Sequence, residues 1–269
     1  MPRWAQGLIG VIAFIILAQL IGLAIPAAVL PRISTILSEA ARLAGDGRFL
    51  ADLAATVESW ILGLLIATVI AVPLGLVLGS LPGIRFATRA LVEFLRPVPS
   101  VALITLVSLV VGSGLKMTLI LIAYGCAWPI LYNTMAGLDD VDPVAAETLR
   151  SFGFSRVSVL WFVSLRSAAP FIATGIRIAS AVALILSIGA GYIVGRLNGS
   201  GIGAFIADAS SGTANMPQIL AATLWAGVLG VVLNLALLGL ERLALPWHHA
   251  SLDATDATPQ PGTAVAVGL

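Results

Sequence analysis

Charge is scarce in this chain. Only 10% of its 269 residues are charged while 59% are hydrophobic, and a soluble domain carries about 25% charge. That balance excludes an ordinary water-soluble globular domain. A net charge of +1 argues neither for nor against a nucleic-acid partner, but the membrane class that the apolar runs imply leaves none expected. Cysteine is nearly absent. The lone Cys126 lies inside an apolar run, where it has no partner for an intrachain disulfide and is expected as a small buried hydrophobe. Histidine is confined to the adjacent pair His248 and His249 in a polar tail. No Cys, Asp or Glu stands at metal-ligand spacing around them, so no metal site is expected. The pattern GxxxxGK[ST] does not occur, which excludes ATP binding by that phosphate-cradling loop. Gly199-Ser200-Gly201-Ile202-Gly203 is glycine-rich, but no strand precedes it, and it reads as a membrane re-entry turn. No nucleophile, base and acid converge in any pattern, so no catalytic residue is expected.

Long apolar runs are abundant. A run of about 20 apolar residues is long enough to cross a bilayer as a helix, whereas a β-barrel would show short alternating strands. The expectation is an all-α polytopic membrane protein with six transmembrane helices, at 7–28, 57–78, 98–111, 117–138, 171–194 and 218–243. The domain reading is an N-terminal transmembrane helix at 1–30, uncleaved because it is too long for a signal-peptide core. An outer-side amphipathic connection follows at 31–56, then a core at 57–247 with five transmembrane helices, then a disordered tail at 248–269. A more polar stretch, 32–53, is expected as a helix lying along the membrane surface.

Polar residues inside spans are candidates for lining a pathway. Ser108, Tyr124, Asn133 and Arg177 are the residues singled out. Each has a plainer reading. The first three can bond a neighbouring helix, and the long stem of Arg177 can reach the headgroups.

Lipid does not explain the stretch 142–179. Asp142 is a good N-cap, and Pro143 suits the first helical turn, where its missing N–H costs nothing. Ala145, Leu149 and Phe152 recur at spacings of four and three, which places them on one helical face. Gly153 ends that helix, since glycine takes positive φ cheaply. Ser155 caps a second short helix at 156–163, and Pro170 marks the start of the next span. A helix, a glycine elbow and a second helix on the surface of a membrane protein make a docking device.

Lys and Arg in the loops orient the chain. With the N-terminus inside, nine of the 14 basic residues, Arg177 included, fall on the inner side and five on the outer. Both termini and the docking stretch are then cytoplasmic. The cluster Arg32, Arg42 and Arg48 runs against this orientation.

Glu147-Thr148-Leu149, with Gly153 six residues after the glutamate and Pro170 beyond, resembles the EAA loop of ABC-importer permeases. Leu95-Arg96-Pro97-Val98-Pro99 with Gly112 and Lys116 is similar to a run found in the sulfonate, nitrate and taurine branch. So are Trp128-Pro129-Ile130-Leu131, Thr174-Gly175-Ile176-Arg177, Gly201-Ile202-Gly203 and Leu240-Glu241-Arg242 with Trp247. The resemblance covers 36–247. Thr148 and Leu149 differ from the two alanines that name the loop, and Tyr192-Ile193-Val194-Gly195 stands where the branch often carries an Ala-Glu pair.

This resemblance implies a type I ABC-importer permease fold in a bacterial-type plasma membrane, with 139–170 as a cytoplasmic coupling loop. It implies ATPase coupling through Glu147, Leu149, Phe152, Gly153, Phe154 and Pro170. Glu147 would hold the loop and Gly153 set the elbow, while the apolar side chains fill a groove of the partner. The implied partners are cytoplasmic ABC ATPase subunits, an extracytoplasmic substrate-binding protein and a second permease copy in a homodimeric pathway within the lipid bilayer. ATP and Mg would be bound by the ATPase, leaving this chain with no cofactor and no enzymatic role. The implied cargo is a small anion such as an aliphatic sulfonate, taurine or nitrate. A stand-alone secondary transporter or channel is the alternative.

Overall fold

A computed structural model describes residues 31–81, 99–195, 199–211 and 215–246, with a few isolated positions before 31 and between 83 and 94. The expected first span, most of the Leu95-Arg96-Pro97-Val98-Pro99 run, Trp247 and the tail with His248 and His249 lie outside the described residues.

Helix α1, Ile33–Leu43, is amphipathic and buries Ala40 and Leu43. Its exposed face carries an ion pair between Arg42 and Glu39 at 2.6 Å, whose hydrogen bond holds the Glu39 carboxyl below its usual range. The polar stretch does not continue as one surface helix to 53. It breaks at Ala44-Gly45, and the Asp46 carboxylate then accepts from Arg48 N (2.9 Å) and Phe49 N (3.2 Å). That cap starts the long helix α2, Gly47–Ser80, well before 57. The expected division between 56 and 57 therefore falls inside a continuous helix. Charged residues in its first turns hid them from a hydropathy reading.

Short helix α3, Leu103–Val111, has 9 residues. At 1.5 Å per residue it is roughly 13 Å long, too short to cross about 30 Å of hydrocarbon by itself. The turn at Gly112 and Gly114 leads into α4, Leu115–Asp139. Next come α5, Pro143–Ser151, and α6, Arg156–Val159, which passes through a π-helical turn, Leu160–Ser164, into α7, Leu165–Val194. After α7 lie α8, Ile202–Ala209, and α9, Met216–Ala244. Among the described residues, four helices are long and apolar enough to cross a membrane: Gly47–Ser80, Leu115–Asp139, Val157–Val194 and Met216–Ala244.

The centre is a three-helix bundle of α2, α4 and α7. Trp60, Leu64 and Ala67 meet Ile122, Cys126 and Ile130, with Ala179, Ala183 and Leu186 closing the third side. Lipid removes the hydrophobic drive between such helices, so close packing and polar contacts hold them. Gly63 lets the backbone of α2 approach Ile122, and Gly137 does the same for α4 against Ala168. Polar contacts pin the register. The Trp60 indole donates to the Ser180 carbonyl at 3.1 Å, and the Cys126 thiol donates to the Ala179 carbonyl at 3.1 Å. Large side chains such as Leu65, Val69, Ile185 and Val231 remain exposed, as a surface solvated by lipid tails requires.

A smaller cluster joins α1 to the start of α2, α8 and α9 through Leu43, Phe49, Phe205 and Ala222. Phe49 meets the Phe205 ring edge-on at 5.0 Å. The Trp225 indole donates to the Ala40 carbonyl at 2.9 Å. Surface helix α1 is thereby docked on the bundle.

Candidate coupling surface

The Asp142 carboxylate accepts from Val144 N at 2.9 Å, and Pro143 occupies the first turn of α5. The far end of the helix closes by two reverse bonds. Gly153 N donates to the Arg150 carbonyl (2.9 Å) and Phe154 N to the Leu149 carbonyl (3.1 Å). This is a Schellman ending, which needs a residue in left-handed conformation between the two donors. Gly153 supplies it with φ +83°. Ser155 then caps α6, accepting from Ser158 N at 3.2 Å.

The elbow exposes large apolar side chains. Phe152 is 78% exposed, Trp161 64% and Phe162 67%, with Val144, Phe154 and Val157 also open. Leu149 is half-buried and Glu147 exposed. Large apolar side chains left open at one end of the bundle make this elbow a candidate interaction surface. Behind it lies a cleft of about 670 Å³ between α5 and the ends of α2 and α4, lined by Val77, Leu138, Ala146, Glu147, Arg150 and Leu160.

Pro170 sits elsewhere. It lies inside α7 rather than at the start of the span. The cause is the π-helical turn, in which Leu165 N reaches the Leu160 carbonyl. That turn carries the chain from α6 into α7 without a break, so the helix runs unbroken from Val157 to Val194. A π turn inside an α-helix is common at functional sites.

The four residues singled out for a pathway are spread over α3, α4 and α7. Ser108 donates to the Thr105 carbonyl at 2.8 Å, and Asn133 donates to the Pro129 carbonyl at 2.8 Å. Tyr124 meets the Trp128 ring edge-on at 5.7 Å. Arg177 pairs with Glu241 across to α9 at 3.6 Å. Ser108 and Asn133 thus bond carbonyls of their own helices rather than a neighbouring helix, and Arg177 pairs with an acid of α9.

A second polar assembly, at the opposite end of α2, was not foreseen. Asp52, Thr56 and Arg48 reach α8 and the glycine turn before it. Their partners lie 146 to 160 residues away in sequence. The signal in the sequence is the set of polar residues in the first turns of α2, Arg48, Asp52, Thr56 and Glu58 among them, and nothing local names their distant partners.

A multi-span α-helical membrane protein with a capped, apolar docking elbow is the class this architecture defines. The chain belongs to the family of binding-protein-dependent transport system inner membrane components, whose pattern matches residues 63–247. It is an ABC-importer permease of type I fold, in the branch of taurine and nitrate permeases. It is 30% identical over 203 residues to the taurine transport system permease protein TauC of Escherichia coli K12, covering 76% of this chain and 72% of that protein. It is 26% identical over 180 residues to the nitrate import permease protein NrtB of a Synechocystis species, covering 67% and 64%. In fold it is similar to a chain of the MetNI methionine ABC transporter in an inward-facing conformation. The TM-score is 0.61 at 18% identity, covering 72% of this chain and 94% of that one.

Proposed function

We propose that this permease forms half of the translocation pathway of an ATP-driven importer for a small anion, with taurine, an aliphatic sulfonate or nitrate as the cargo class. The observation that carries the coupling role is the elbow itself. A Schellman ending fixes Phe152 and Phe154 in the open beside Glu147, and no residue of α5 is buried in its own chain. Exposed aromatics held on a rigid turn are anchors for a partner's pocket. In this reading the partner is a cytoplasmic ABC ATPase, which binds ATP and Mg and does the hydrolysis. Closure of the ATPases pushes the elbow, and the continuous helix Val157–Val194 carries that push into the bundle. The loop 139–170 and both termini are cytoplasmic, and five spans of the core cross the membrane. A binding protein delivers cargo at the opposite face, and a second copy of the permease completes the pathway.

The cargo class rests on the taurine and nitrate relatives. The test of coupling is co-purification of an ABC ATPase with the tagged chain from its native membranes. Phe152→Ala together with Phe154→Ala should reduce ATPase recovery at least about tenfold, the weight of one interface anchor, while the amount of chain in the membrane stays the same. Full recovery with both rings gone would remove the elbow from the interface.

A further inference from the structure

Helices α2 and α7 each run from the coupling elbow to the far side of the bundle. Val77 of α2 lines the cleft beside α5. Asp52 lies 25 residues earlier in the same helix, about 37 Å away at 1.5 Å per residue. At that far end three polar contacts tie α2 to α8. The Asp52 carboxylate accepts from Gly201 N at 2.9 Å, the Thr56 hydroxyl accepts from Ile202 N at 2.9 Å, and Arg48 pairs with Asp208. Thr56 also donates to the Asp52 carbonyl at 3.0 Å, which commits its proton and turns its lone pairs toward Ile202. One turn further in, Ser59 and Ser187 join α2 to α7 at 2.6 Å, both buried.

The other side of α8 is held by shape. A Cβ on Gly203 would stand 1.9 Å from the Ile188 carbonyl oxygen, and one on Gly195 would stand 2.7 Å from the Ala204 Cα. Helix α8 is thus packed backbone-to-backbone on α7 but tied to α2 by polar bonds. The two attachments differ in kind. A glycine-packed joint cannot slide without opening a void, whereas water can replace polar partners at the end of a bundle. Helix α8 also has no side-chain cap from its own neighbours. Its first donors are satisfied only while α2 is close.

We infer that Asp52 and Thr56 are positioning residues of a latch that holds α8, travelling with α7, against α2 on the face opposite the coupling elbow. This rests on the importer reading above. When the elbow moves, α7 and α2 part at this end, and these are the bonds that break. The latch therefore keeps the far side shut in the resting state.

The test uses the full complex of permease, ATPase and binding protein in E. coli polar-lipid vesicles, with ATP hydrolysis as the readout. Thr56→Val keeps the side-chain shape and removes the acceptor, while Thr56→Ser keeps the acceptor. Asp52→Ala and Asp52→Asn form the matching pair. Thr56→Val and Asp52→Ala should each raise hydrolysis without binding protein about fivefold, the weight of one lost cap, and lower the stimulation by binding protein in proportion. Thr56→Ser and Asp52→Asn should behave as wild type. Unchanged basal hydrolysis in Thr56→Val and Asp52→Ala, in complexes that assemble normally, would overturn the latch and leave the importer reading intact. If the wild-type chain assembles with no ATPase, it is the importer reading that fails. The latch is then read from amide exchange at 201–202 in the purified chain, where faster exchange in Thr56→Val supports it and unchanged exchange overturns it.

Discussion

A side chain at Gly153 would meet nothing within 4 Å, yet its φ of +83° is one that residues with a Cβ rarely adopt. The penalty of Gly153→Val is therefore conformational rather than steric, on the order of 1–3 kcal/mol. The two reverse bonds of the Schellman ending depend on that φ. Valine should free Phe154 from the Leu149 carbonyl and swing both aromatic anchors away. We expect normal membrane insertion and loss of ATPase-coupled transport, checked by vesicle uptake beside a membrane-fraction blot. Normal uptake would show that the elbow geometry is dispensable. Gly203 is the opposite case. Its added Cβ would collide with the Ile188 carbonyl and stand 2.6 Å from Tyr192 N, both parts of a packed helix backbone. Gly203→Ala should cost about 1–3 kcal/mol of overpacking. In thermal unfolding in detergent the midpoint should fall by on the order of 5 °C, and an unchanged midpoint would mean that α8 is not seated on α7.

At the scale of elements, α5 is held by its ends. None of its residues is buried, so little tertiary packing supports a helix of 9 residues, and isolated helices of that length are marginal. The Asp142 cap then matters more than it would on a buried helix. Asp142→Ala should cost about 1 kcal/mol and speed amide exchange in α5 about fivefold, with exchange in α4 unchanged. Unchanged exchange in α5 of Asp142→Ala would place the support of that helix elsewhere. This element was legible in the sequence because its determinants are local: Asp142, Pro143, Gly153 and Ser155 each act within a few residues. The start of α2 was not. Asp46 is as good a cap as Asp142, but a hydropathy reading looks for the first apolar residue rather than the first capped one. The true course of α7 was also hidden. Pro170 resembles a helix start, yet the π turn at Leu160–Ser164 lets the helix pass through it. Helix α8 starts inside the glycine-rich stretch 199–203 that reads as a re-entry turn, and what seats it is a set of close approaches to Ile188 and contacts with Thr56 that no local pattern records.

At the scale of the molecule, the arrangement separates two tasks along the same helices. One end of the bundle presents a rigid apolar elbow, and the other end is closed by polar bonds. A secondary transporter would need its coupling site within the bundle. The described core is instead apolar, with Ser59, Ser180 and Ser187 making helix-to-helix bonds, and the Arg177–Glu241 pair lies at one edge between α7 and α9. In the reading proposed above, energy enters instead from a partner at the elbow. Vesicles carrying the permease with its ATPase and binding protein should therefore accumulate radiolabelled taurine only when ATP is present on the elbow side. Permease alone, given a proton or sodium gradient of either direction, should show no taurine uptake above protein-free vesicles. Gradient-driven uptake by permease alone would establish secondary transport. ATP-driven uptake of an aliphatic sulfonate or nitrate but not taurine would keep the mechanism and change the cargo, because the elbow and the latch make no demand on which small anion passes between them.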